Sequence, residues 1–167
     1  METVPLLQVR GKTRNSSNWA CRRPMRTVQA LGKRARRVLV VDAYRDAGES
    51  LGALLEMWGY KTKVVCDAPA ALEAAHERRP DVVILDVVLP QMDGYELATR
   101  LRRFETFRDV LLVALTGYVR PGDNERANMA GLDFFLLKPA DPDVLHRLVR
   151  TASRQREPEG QSIVYSR

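Results

Sequence analysis

The stretch Asp81-Val82-Val83-Ile84-Leu85-Asp86 sets four aliphatic residues, three of them β-branched, between two carboxylates. A run this short and this apolar suits a strand buried on both faces. Pro80 stops the segment before it, and Asp86 ends it. Pro90 and Asp93-Gly94 then make a loop and a turn, and the following segment repeats apolar residues at helical spacing, with Leu97, Leu101 and Phe104 inward. One strand, one loop and one helix form a unit, and the same unit recurs on either side.

Upstream, Val38-Leu39-Val40-Val41 reads as a first strand ending at Asp42. Asp46 is the expected cap of a helix in which Leu51, Leu54, Leu55 and Trp58 share a face, and Gly59 is its C′ residue. Lys63–Cys66 is a second strand, and Pro69 opens a helix that runs to about Arg79. Downstream, Val110–Leu115 is a fourth strand ending at Thr116, and Asn124–Ala130 is a weak helix. Phe134–Leu137 is a fifth strand ending at Lys138-Pro139. Asp141 and Pro142 start a last helix, with Val144, Leu145, Leu148, Val149 and Ala152 facing the sheet. Five strands alternating with five helices predict a single doubly wound α/β domain. Its parallel sheet is expected in the order 2-1-3-4-5, the flavodoxin-like arrangement. The expected organisation is a basic, disordered leader at 1–36, the domain at 37–152 and a disordered tail at 153–167.

Charge divides the chain the same way. The net charge is +6, but Met1–Arg37 holds ten basic residues against Glu2 alone, and Val38–Arg150 holds 14 basic against 18 acidic. Three readings of the leader stand side by side: a phosphate-seeking arm, an inert solvated tail, or an extension upstream of a start at Met25. Gly11-Lys12-Thr13 is not the end of a phosphate-binding loop, because Leu6 occupies the position that needs glycine. The longest apolar run has six residues, Val110 to Leu115, far short of the ~20 of a membrane span. Cys21 and Cys66 have no metal-ligand spacing and are expected to be plain thiols in a reducing cytoplasm.

In a doubly wound sheet, function collects at the C-terminal ends of the strands. There the chain delivers Asp42, Asp86, Thr116 and Lys138: two carboxylates, a hydroxyl and an ammonium. Two facing carboxylates repel unless a cation separates them, a part that Lys138 and a hard ion such as Mg²⁺ can share. With Asp86 as nucleophile and the cations on the phosphoryl oxygens, this set suits phosphoryl transfer. Other chemistries lack parts. His76 and His146 fall on helices and are expected to be solvated, no serine elbow appears, and no glycine-rich loop follows the first strand.

These motifs together resemble the receiver domain of two-component response regulators, in its stand-alone, chemotaxis-regulator-like form. The resemblance rests on Val38–Asp42, on Leu85-Asp86 with Leu89-Pro90-Gln91-Met92-Asp93-Gly94, on Leu115-Thr116-Gly117 and on Leu137-Lys138-Pro139. It implies a phosphoacceptor at Asp86, served by a histidine kinase or phosphotransfer protein, and catalytic roles for Thr116 and Lys138. It also implies a Mg²⁺ site at Asp42, Asp86 and Val88. Thr116 and Phe135 would form a switch in which the ring moves inward and remodels a protein-binding surface on the last two helices and the fifth strand. Such a protein is a stoichiometric acceptor in the cytoplasm, not an ordinary enzyme. One departure stands out: the family pairs two acids where this chain has Asp42-Ala43, which weakens the expected metal site and slows phosphorylation. A phosphorylation-independent pseudo-receiver and a nucleic-acid binder acting through the leader are the competing functions. Trp58 is the candidate fluorescent reporter of the pocket.

Overall fold

The computed structural model describes residues 35–152. The tail, Cys21 and nearly all of the leader lie outside them. The elements are β1 (Arg37–Val41), α1 (Arg45–Met57), β2 (Lys61–Val65), α2 (Ala68–Glu77), β3 (Val82–Asp86), α3 (Gly94–Arg102), a 3-10 turn (Glu105–Phe107), β4 (Leu111–Thr116), α4 (Asp123–Met129), β5 (Phe134–Leu137) and α5 (Pro142–Thr151). All strand pairs are parallel, in the order β2-β1-β3-β4-β5. The doubly wound sheet expected from the alternation is the fold of the protein.

Apart from Arg37, Asp86 and Thr116 at their ends, the central strands are apolar because both faces are covered. Val38, Val40, Val82, Ile84 and Val113 point to one side, where Leu55 of α1 and Leu145 and Val149 of α5 meet them. Leu39, Val41, Val83, Leu85 and Leu112 point to the other, against the alanines of α2, Leu97 and Leu101 of α3 and Ala127 of α4. Helix α1 lies unusually close to edge strand β2. A Cβ on Gly48 would come within 2.9 Å of Val64 Cγ1, and one on Gly52 within 2.8 Å of Val64 Cγ2.

Several local expectations shift. Asp46 does not cap α1. Tyr44 takes that place, because the Asp42 carboxylate accepts the Tyr44 N–H at 2.9 Å and turns the chain into the helix sooner. Strand β2 starts at Lys61, two residues early, where the ladder to β1 pairs Arg37 with Lys61. Phe104 is 45% exposed: α3 ends at Arg102 and the 3-10 turn redirects the chain, leaving Phe107 as the buried ring. Trp58 sits at the C-terminal end of α1, which runs opposite to the strands, so it lies at the edge far from Asp86. His146 stacks on it with centroids 4.5 Å apart and is half-buried, so it is a packing residue, whereas His76 is exposed. Arg36 belongs to the folded part, since its guanidinium donates to the carbonyls of Val149 and Arg150 at the C-terminus of α5, where a cation complements the helix dipole. Asp141 caps α5 as expected, accepting from Asp143 N and Val144 N.

Candidate functional site

Parallel pairing sets the geometry of the site. Val41 is in register with Leu85 and Asp86 with Leu115, so Asp42 and Asp86 leave the sheet side by side, next to the end of β4. Both acids are buried, at 4% and 6% exposure. Lys138, immediately after β5, reaches across. Its Nζ donates to Asp42 Oδ2 and to Asp86 Oδ2, each at 2.7 Å. The Lys138 N–H donates to the Thr116 carbonyl at 2.7 Å, and the Lys138-Pro139 peptide is cis. Burial pulls the Lys138 ammonium down, but its hydrogen bonds to Asp42 and Asp86 and their charges more than reverse that, leaving it above the ordinary lysine value.

The second oxygen of each carboxylate is fixed by backbone two residues on. Asp42 Oδ1 accepts from Tyr44 N and Asp86 Oδ1 from Val88 N, both at 2.9 Å. The same turn thus closes β1 and β3 and aims both Oδ2 atoms at one point. Each oxygen keeps a second lone pair available. Gly94 makes the tight return possible: a Cβ there would lie 2.4 Å from the Asp86 carbonyl oxygen. Gln91 takes the left-handed conformation, φ 67°, in the same loop.

Asp42, Asp86 and Lys138 are therefore in direct contact. Thr116 is buried at the same edge, but its hydroxyl donates to the Tyr118 carbonyl at 2.8 Å. Val88 is exposed beside Asp86. Phe135 is 1% exposed and already inward, stacked against Tyr95. Ala43 offers no oxygen ligand from its side chain, and among the described residues no group of three or more His, Cys, Asp or Glu side chains is placed to hold a metal. Lys138 Nζ holds the point between the two Oδ2 atoms, so Asp42 and Asp86 would offer Mg²⁺ their remaining lone pairs, and one or two carboxylates with water suffice for that ion. Sequence patterns gave no sign of the acids Asp123 and Asp133, which are buried on α4 and before β5. Asp133 accepts from Arg102 Nη2 at 2.9 Å and from Leu112 N at 2.8 Å, and partners so remote in the chain leave no local signal.

Comparison with known proteins agrees with this fold. Residues 38–150 match the family model described as the response regulator receiver domain. An uncharacterized 14.6 kDa protein of Leptolyngbya boryana is 36% identical over 113 residues, covering 68% of this chain and 86% of that protein. Response regulator Rre1 of Synechocystis is 36% identical over 114 residues, and the match covers 68% of this chain but only 49% of Rre1. The solved receiver domain of the sensor histidine kinase PA1611 of Pseudomonas aeruginosa, with a magnesium ion coordinated in its active-site cleft, is 31% identical. It superposes with a TM-score of 0.65, covering 71% of this chain and 98% of that one. Fold and sequence agree: the chain belongs to the response regulator receiver family of two-component signalling.

Proposed function

We propose that this receiver accepts a phosphoryl group on Asp86 from a phosphohistidine of a kinase or phosphotransfer protein, and passes the change to a protein partner. The observation that carries the proposal is the Lys138 ammonium held 2.7 Å from both Asp42 and Asp86. Asp86 Oδ2 attacks phosphorus and forms the new O–P bond. The P–N bond to the donor imidazole breaks, and nitrogen keeps its electron pair. Lys138 then has a phosphoryl oxygen in place of a carboxylate oxygen to neutralise, and Thr116 has only to turn from the Tyr118 carbonyl to donate to another. Asp42 and Asp86 would hold Mg²⁺, whose charge neutralises phosphoryl oxygens when it is bound. An apolar groove of about 520 Å³, lined by Leu51, Leu54, Leu115, Pro139 and Leu145, runs up to Asp42 and Lys138 and gives a donor protein a place to rest. The folded unit we assign to this function is 37–152, with Arg36 anchored to its last helix.

The test is incubation with acetyl phosphate and Mg²⁺ followed by intact mass. The native protein should gain one phosphoryl group, and Asp86→Asn none. Restoring the second acid with Ala43→Asp should lower the Mg²⁺ concentration for half-maximal adduct by about tenfold, the worth of one added charged contact. An adduct that survives in Asp86→Asn would overturn the assignment.

A further inference from the structure

A chain of contacts leads away from Asp86 that the phosphoryl chemistry does not use. Tyr95, near the start of α3, is buried, and its ring stacks parallel to Phe135 of β5, with centroids 6.4 Å apart and planes 9° apart. The same ring carries the Arg126 guanidinium of α4, 4.3 Å from its centre. Arg126 Nη2 also donates to Asp93 Oδ2 at 2.8 Å, and Arg126 Nη1 lies 4.0 Å from Asp123 Oδ1. Asp93 closes the loop that begins at Asp86. Its other oxygen caps α3 by accepting from Glu96 N, and the neighbouring Gly94 lies against the Asp86 carbonyl.

The two ends of this chain differ physically. Phe135 is sealed in and packs parallel to the buried Tyr95 ring, so swinging it outward would give up that contact and open a void beside a second aromatic. Arg126 and Asp93 are half exposed, with 53% and 44% of their side chains open to solvent. An ion pair and a cation–π contact in such a setting are weak enough to form and break readily. A link that is to follow the state of a loop must be reversible, and only the Arg126 end is.

We propose that Arg126 is a positioning residue that ties the loop after Asp86 to α4, and that Phe135 is a fixed wall behind Tyr95 rather than a moving ring. The direction of the signal rests on Asp86 being the phosphoacceptor; the clasp itself does not. Coupling of this kind is reciprocal, so loosening either end must loosen the other.

Amide hydrogen exchange on the full chain tests both parts, using the native protein, Arg126→Gln, Asp93→Asn, their double variant and Phe135→Leu. Asparagine keeps the helix-capping oxygen while removing the charge. Without a phosphoryl donor, either clasp variant should speed exchange in both 87–93 and 123–129 by at least about fivefold, and the double variant no further. Changes confined to the segment carrying the substitution, or effects that multiply, would overturn the clasp. With acetyl phosphate and Mg²⁺, intact mass on the same samples records the adduct. Phosphorylation should alter exchange in 123–129 of the native protein and Phe135→Leu, and leave it unaltered in Arg126→Gln. A response kept by Arg126→Gln or lost by Phe135→Leu refutes the proposal. If the native protein takes no adduct, the Asp86 assignment fails and the donor-free comparison alone decides the clasp.

Discussion

Replacing Lys138 with methionine removes the ammonium that bridges Asp42 and Asp86 and leaves the apolar stem in place. Both carboxylates sit 2.7 Å from the same nitrogen, so their Oδ2 atoms are no more than twice that distance apart. Two unit charges at that separation repel by about 3 kcal/mol at an effective dielectric of about 20. Both acids are buried, their side chains only 5% and 7% exposed, so water screens little of it. Removing one partner from a buried ion pair costs about 3–5 kcal/mol in general, and the worked repulsion falls within that range. The assay is urea unfolding at neutral pH followed by circular dichroism. With a slope of about 2 kcal/mol per molar, the midpoint of Lys138→Met should fall by about 2 M. In an Asp86→Asn background only one carboxylate remains, the mutual repulsion is gone, and the same substitution should cost less than half as much. A loss under about 1 kcal/mol in the native background, or an equal loss in both backgrounds, would refute the idea that the lysine holds two charged acids together.

Alkaline pH should act through the same ammonium. Because Lys138 is held above the ordinary lysine value, its stabilisation is complete below about pH 10.4 and is lost as pH rises through the folded value. The stability difference between native protein and Lys138→Met should therefore shrink above that pH, as read from urea midpoints across a pH series. Gly94→Ala should cost more than ~2 kcal/mol, because its Cβ would meet the Asp86 carbonyl oxygen at 2.4 Å and backbone cannot step aside cheaply. The adduct yield with acetyl phosphate should fall with it. Arg102→Met should cost ~3–5 kcal/mol in the same unfolding assay, since Asp133 is left buried without its guanidinium and the carbonyls of Phe107, Val110 and Gly131 lose a donor.

Much of this architecture was legible because it is written locally. The uninterrupted aliphatic runs of β1, β3 and β4, the Phe134–Leu137 strand, the Asp141-Pro142 start of α5 and the positive φ of Gly59 all follow from short-range rules. Asp42, Asp86, Thr116 and Lys138 were legible as a group because topology, once fixed, carries every strand end to one edge. What escaped depends on partners far along the chain. The Arg102–Asp133 pair spans 31 residues and Arg126–Asp93 spans 33. Phe104 follows the α3 stripe in sequence, but the helix ends two residues earlier. Asp46 looked like a cap because nothing local shows that the Asp42 carboxylate claims the Tyr44 N–H first.

The closeness of α1 to β2 sets the order in which substitutions there can be accommodated. Val64 stands against both Gly48 and Gly52, one methyl facing each. A side chain added to either glycine collides, while trimming Val64 to alanine merely opens a small void, a change of ordinary cost. Volume can therefore pass from the strand to the helix in one sequence of steps and not in the other. A descendant carrying alanine at 48 or 52 should record an earlier loss at 64, so these three positions form a one-way path that can be followed in laboratory evolution.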